Sequence, residues 1–138
     1  MEQKIAKTAS LRPHKKIFTT KFNYNIPTEE LRIIMPAVAP KFSEIPGCYW
    51  KIWLINEDEK TAGGVYLFES NVKLEEFLNS KLFASVVNNP AFSNFETNTF
   101  DVEEKASEIT VAPLMRRMFN NDYLPFPWGR SRSTIVYP

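Results

Sequence analysis

Ile45-Pro46-Gly47-Cys48-Tyr49-Trp50-Lys51-Ile52-Trp53, followed after a polar stretch by Ala62-Gly63-Gly64-Val65-Tyr66-Leu67-Phe68-Glu69, decides the fold. Two runs rich in β-branched and aromatic residues flank one charged turn over residues 57–61, which is the signature of an antiparallel hairpin. Aromatic side chains at this density build either a thick core or the wall of a pocket for a flat organic ligand. Cys48 to Asn56 alternates Cys48, Trp50, Ile52 and Leu54 against Tyr49, Lys51, Trp53 and Ile55. On that parity the first set faces a helix-side cavity and Trp53, with Lys51, faces away.

Working outward, Ile17 to Tyr24 carries Phe18, Phe22 and Tyr24 at period two and reads as a first strand. Thr28 follows as a candidate N-cap, with Glu29 and Glu30 at the positive end of a helix on which Leu31, Ile34, Met35 and Val38 are helically spaced. Pro36 and Pro40 predict a kink or restart before the helix ends near Pro46-Gly47. Beyond the hairpin, Ser70 caps a second helix with Leu74, Phe77, Leu78 and Leu82 on one stripe, and Phe83 to Val87 adds a short piece. Phe95 to Val102 reads as a fourth strand, and the carboxylates Asp101, Glu103, Glu104 and Glu108 after it as a solvated face. The order strand, helix, strand, strand, helix, strand is the α+β split βαβ arrangement: a four-stranded antiparallel sheet with its helices on one face. Apolar residues on the other face call for a partner, and a second copy is the simplest one.

The chain of 138 residues is 43% hydrophobic and 14% aromatic, enough for one packed domain. Its 17 basic and 16 acidic side chains leave a net charge of +1, which favours neither nucleic acid nor a membrane surface as partner. No apolar run reaches the roughly 20 residues that span a bilayer. The single cysteine, Cys48, excludes an internal disulfide and a cysteine-built zinc site, and suits a reducing cytoplasm. Residues 1–16 read as a flexible basic arm, with an organelle-targeting segment as the alternative, and 17–111 as the domain. Residues 112–138 read as an extension rich in arginine, proline and aromatic side chains, placed across the domain or its dimer mate.

Pro46-Gly47, Trp50-Lys51-x-Trp53, Ala62-Gly63-Gly64-Val65-Tyr66-Leu67-Phe68 and Phe100-Asp101-Val102 together resemble the YdhR-like mono-oxygenases over roughly residues 17–110. The resemblance implies a ferredoxin-like dimeric α+β barrel, a homodimer with sheets packed face to face, and a relation to cofactor-free oxygenases. Such an enzyme needs a general base to form an enolate or phenolate, a donor for the anion, and a dry aromatic cavity in which it meets oxygen. His14, the sole imidazole, is the expected base, unless it is simply an exposed arm residue, and Tyr66 the expected donor. Phe22, Tyr24, Trp50, Trp53, Phe68 and Phe77 are expected to bind a flat aromatic, polyketide-like or terpenoid-like substrate. Neither a metal site nor a cofactor is expected, since no phosphate loop, metal-spaced cluster or nucleophile elbow occurs. Two alternatives stand beside the oxygenase: a cyclase or isomerase on the same barrel, and a non-enzymatic ligand-binding or interaction module working through the extension.

Overall fold

Alternating bulky side chains make Lys16–Tyr24 the first strand, β1, in the computed structural model, which describes residues 14–115. The chain continues through α1 (Thr28–Phe42), the hairpin strands β2 (Cys48–Asn56) and β3 (Thr61–Phe68), α2 (Asn71–Leu78), α3 (Lys81–Val87), β4 (Phe92–Asp101) and α4 (Glu104–Ile109). The four strands form one antiparallel sheet in the order β2-β3-β1-β4. Each helical crossover joins two strands with a third between them, so two split βαβ units interleave as expected. The chain divides into two units, the first ending at Glu103 and the second opening with α4. Most of the arm (1–13) and of the extension (116–138) lies outside the described residues, and with them the targeting and strap readings.

One face of the sheet carries the core. Phe18, Tyr66 and Phe68 pack with Phe42, Leu74 and Phe77 in one cluster, while Phe22, Tyr24 and Ala62 pack with Leu31 and Met35 of α1 in another. Trp53 touches both clusters, and its ring meets that of Phe42 edge-on at 5.0 Å. On the opposite face Ile52 and Leu54 of the edge strand β2 and Phe100 of the other edge strand β4 are 52%, 43% and 56% exposed, so apolar side chains stand open to solvent at both edges.

Several local expectations are corrected. α1 runs unbroken through Pro36 and Pro40 to Phe42. The two prolines are four residues apart on an exposed flank, so the carbonyls that lose their donors face water. Thr28 does not cap α1: Pro27 occupies the cap position, and the Thr28 hydroxyl is hydrogen bonded at 2.7 Å to that of Tyr24. β4 starts at Phe92, earlier than its Phe-Thr alternation suggests, because Phe92 and Phe95 stack against Phe22 at 4.5 and 5.0 Å. The carboxylates Asp101, Glu103 and Glu108 are exposed and Glu104 half-buried, as a solvated face requires, and Glu104–Ile109 adds a short helix that the sequence reading does not include.

A β-bulge governs the rest. Cys48 lies opposite Phe68 but Trp50 lies opposite Leu67, which leaves Tyr49 as an extra residue in β2. The strand's alternation changes sign there. Cys48 is on the helix side before the bulge, and Lys51 and Trp53, opposite Tyr66 and Gly64, are on the helix side after it. The parity assignment of Trp50 is therefore reversed: it stands with Ile52 and Leu54 on the outer face.

Candidate functional site

Between the two core clusters the sheet and helices leave a cavity of about 150 Å³. Its floor is Thr20, Phe22, Lys51, Trp53 and Tyr66, all from the helix-side face of β1, β2 and β3. Apolar residues of α1, including Leu31 and Met35, and Phe83 of α3 close it over. A space of this size holds one benzene-sized ring. A larger, open hollow of about 610 Å³ adjoins it, with Lys41, Leu82 and Ser85 as the shared wall.

Of the residues expected to act, the cavity gathers Phe22, Trp53 and Tyr66. Tyr24, Phe68 and Phe77 are buried in the core clusters and do not line it. Trp50 is turned away by the bulge. His14 is exposed ahead of β1, absent from the lining, and its field acts on Asp101 instead. There the hydrogen bond from Lys16 holds the Asp101 carboxyl below its ordinary range, with the charges of Lys16 and His14 adding to the effect.

The residue missed as a functional group is Lys51, a polar residue on a strand whose plain reading is surface exposure, although Trp50 and Ile52 beside it are apolar. Its Nζ lies 3.4 Å from the Trp53 ring centroid, 3.8 Å from that of Phe42 and 4.8 Å from that of Tyr66. Burial pulls its pKa down to about 7, with the nearby Cys48 acting in the opposite sense. The ring faces favour the ammonium when it forms, yet cannot replace lost water. Near neutral pH the site thus holds both a neutral amine, able to take a proton, and an ammonium, able to hold an anion. Opposite Lys51 on β3, Tyr66 is buried and its phenol is held well above its ordinary pKa, first by desolvation and then by Cys48. It remains a protonated donor at any physiological pH. The signal available in sequence is the i, i+2 pair Lys51 and Trp53, which must share whichever face the strand gives them.

Gly64 makes room for this arrangement. A Cβ there would stand 2.7 Å from Lys51 Cε, 3.2 Å from the backbone carbonyl oxygen of Ile52 and 3.5 Å from a Tyr66 ring atom, so its one severe clash is with a side chain. The end of a flexible side chain can move aside at little cost, so Gly64→Ala is expected to destabilise the fold by no more than about 1–2 kcal/mol. It should nevertheless lower turnover by about tenfold or more, because an amine displaced by an ångström loses its alignment. Paired denaturation and rate measurements on this variant check both halves.

Lys51 also ties stability to pH. The unfolded chain keeps this lysine protonated up to its ordinary value, whereas the folded chain releases the proton near pH 7. Between about pH 7 and 10 the unfolded state therefore binds more protons, and folding gains stability as pH rises. Below pH 7 both states are charged and the burial penalty is complete. The swing is on the order of 4–5 kcal/mol. The difference between urea midpoints of wild type and Lys51→Met, followed over that window, should isolate it.

Among the described residues no group of three or more His, Cys, Asp or Glu side chains gathers as a metal would require. Nor is any described helix long and apolar enough to cross a membrane.

The family model described as "Putative mono-oxygenase ydhR" matches residues 17–113. No curated protein sequence matches the chain. Among solved structures, SnoaB, a cofactor-independent oxygenase from Streptomyces nogalater, superposes with a TM-score of 0.54 at 16% identity, over 66% of this chain and 95% of that one. A dimeric ferredoxin-like protein of unknown function from Thermobifida fusca does so with 0.54 at 9% identity, over 66% and 93%. A hydroxynitrile lyase from Passiflora edulis gives 0.52 at 15% identity, over 67% and 96%. At such identities the likeness establishes the ferredoxin-like fold alone.

Proposed function

The chain belongs to the ydhR mono-oxygenase family, and from that premise we propose a cofactor-independent mono-oxygenase acting on a small, flat, acidic phenol or enol. The observation that carries this reading is the Lys51 amine, set among three rings at the floor of a one-ring cavity. The neutral amine takes the proton of a bound phenol or enol, and the resulting ammonium and the Tyr66 hydroxyl hold the anion. Phe22, Trp53 and Phe83 keep water out, so the electron-rich anion meets oxygen rather than solvent. An activated CH₂ then becomes C=O, with the second oxygen atom leaving as water. The electrons come from the substrate's own C–H bonds, so the balance closes without a cofactor. In this reading His14 plays no part in the chemistry, and Tyr66 is the donor.

The exposed Ile52, Leu54 and Phe100 support a homodimer joined through the outer face of the sheet, as does the dimeric neighbour from Thermobifida fusca. The single cysteine supports a cytoplasmic setting.

Oxygen consumption measured across a panel of monocyclic phenols and enolisable ketones tests the reaction. Substrate-dependent uptake that tracks product formation supports it, and no uptake across the panel removes it. The same proton abstraction serves an isomerase, cyclase or lyase, a reading favoured by the likeness to the Passiflora edulis enzyme. In that case product forms at the same rate with oxygen excluded.

A further inference from the structure

A neutral amine at the bottom of an apolar cavity is a nucleophile as well as a base, and the surroundings of Lys51 favour that second use. We propose that Lys51 captures flat aromatic or conjugated aldehydes and ketones, holding them in the cavity as an imine. The first ground is isolation. Among the described lysines, Lys16 and Lys73 are paired with Asp101 and Glu76, Lys60 donates to the Ile26 carbonyl at 2.6 Å, Lys15 ahead of β1 is half-buried and has an interaction of its own, and Lys21, Lys41, Lys81 and Lys105 are exposed. Among the described residues no carboxylate pairs with Lys51; its neighbours are ring faces. With no anion fixing its proton, the amine keeps its lone pair available, as imine-forming lysines require.

The second ground is shape. The cavity admits one ring and Lys51 lines it together with Trp53, Phe42 and Tyr66, so a ring-bearing carbonyl held there lies beside the amine. The third is proton handling. The nitrogen adds to the carbonyl carbon, the carbinolamine loses its hydroxyl as water, and C=N replaces C=O with no change in electron count. Thr20 and Tyr66, both on the cavity wall, offer hydroxyls for those proton transfers. The titratable groups around the amine are Tyr66 on β3, Cys48 on β2 and Lys41 on α1. Among the lining residues, β1 and the α3 segment contribute only the neutral polar groups Thr20, Ser85 and Asn89. At pH 7 an amine with the lowered pKa of Lys51 presents about 10²–10³ times more free base than an exposed lysine. This inference rests on the amine and its cavity and stands whether or not the chain consumes oxygen.

Full-length protein incubated at pH 7 with benzaldehyde and cyanoborohydride, then mapped by peptide mass spectrometry, provides the test. One benzyl group on Lys51, formed at least about tenfold faster than on any other lysine, is the expected result. Lys51→Met should abolish the fast phase, and Gly64→Ala, which keeps the lysine but shifts it, should slow it toward the rate of surface lysines. Imine formation should also change the emission of the adjacent Trp53, an effect lost in both variants. Labelling spread over Lys41, Lys81 and the other exposed lysines, or a fast phase that survives in Lys51→Met, would overturn the proposal. Should Lys51→Met fail to fold, Gly64→Ala decides: an unchanged rate there also overturns it.

Discussion

Lys51→Met is expected to lower kcat by about two to four orders of magnitude, the range that a positioned general base supplies, while raising stability near neutral pH. The two effects have one cause. Near pH 7 the folded chain carries a partly charged amine among Phe42, Trp53 and Tyr66, which costs stability, and a methionine of similar length fills the same space without that cost. Lys51→Arg separates the roles of base and cation, because a guanidinium stays charged and cannot accept a proton. If proton removal is the essential act, Lys51→Arg is as inactive as Lys51→Met. If holding the anion is what counts, the arginine variant keeps a substantial part of the rate. For wild type, kcat/KM should rise with pH through about 7 as the amine loses its proton, and then level off. Steady-state rates from pH 5.5 to 9 on the three proteins (roughly the span over which such a group titrates) give a direct readout.

The second large effect is on folding. Gly63→Ala is expected to cost at least about 3 kcal/mol, which is roughly a fifth to more than half of the whole stability of an ordinary domain. A Cβ on Gly63 would lie 1.9 Å from the Thr20 carbonyl oxygen and 2.7 Å from its carbon. Those are backbone atoms of β1 in the middle of the sheet, and they cannot swing aside as the Lys51 stem does. The only relief is to part β1 from β3, which breaks hydrogen bonds and opens the floor of the cavity at Thr20 and Tyr66. Urea denaturation of Gly63→Ala and Gly64→Ala side by side makes the contrast: adjacent residues and identical substitutions, with the loss of stability concentrated in the first and the loss of rate dominating the second.

Much of the architecture was legible because it follows from side-chain period and caps. Phe18, Phe22 and Tyr24 at alternate places, the hairpin at 48–68 and the Ser70 cap, which accepts from the Lys73 amide, all stand where the pattern put them. Pro36 and Pro40 misled because their cost depends on whether the freed carbonyls face water, which one helix read in isolation does not reveal. The cavity was legible in part. Phe22, Trp53 and Tyr66 belong to it, but Tyr24, Phe68 and Phe77, equally aromatic and equally buried, fill the core on either side. Composition alone does not separate a wall from a filling. Lys51 was hidden because a lysine ordinarily keeps its charge at a surface, even in an apolar strand, and only the fold shows three rings closing around its amine. Trp50 was misassigned because neither glycine nor proline marks the residue at which alternation slips.

That slip makes β2 behave like two waves joined out of phase. Upstream of Tyr49 the inward crest falls on Cys48; downstream it falls on Lys51, Trp53 and Ile55. Deleting this one tyrosine would bring the waves into step and leave the amine and its indole neighbour facing inward, whereas keeping it and pairing it with Leu67 in a regular ladder would turn the rest of the strand over, sending Lys51 and Trp53 outward while Trp50, Ile52 and Leu54 swing into the interior. The chemistry of the protein is thus encoded as much by where a syllable is repeated as by which letters are used.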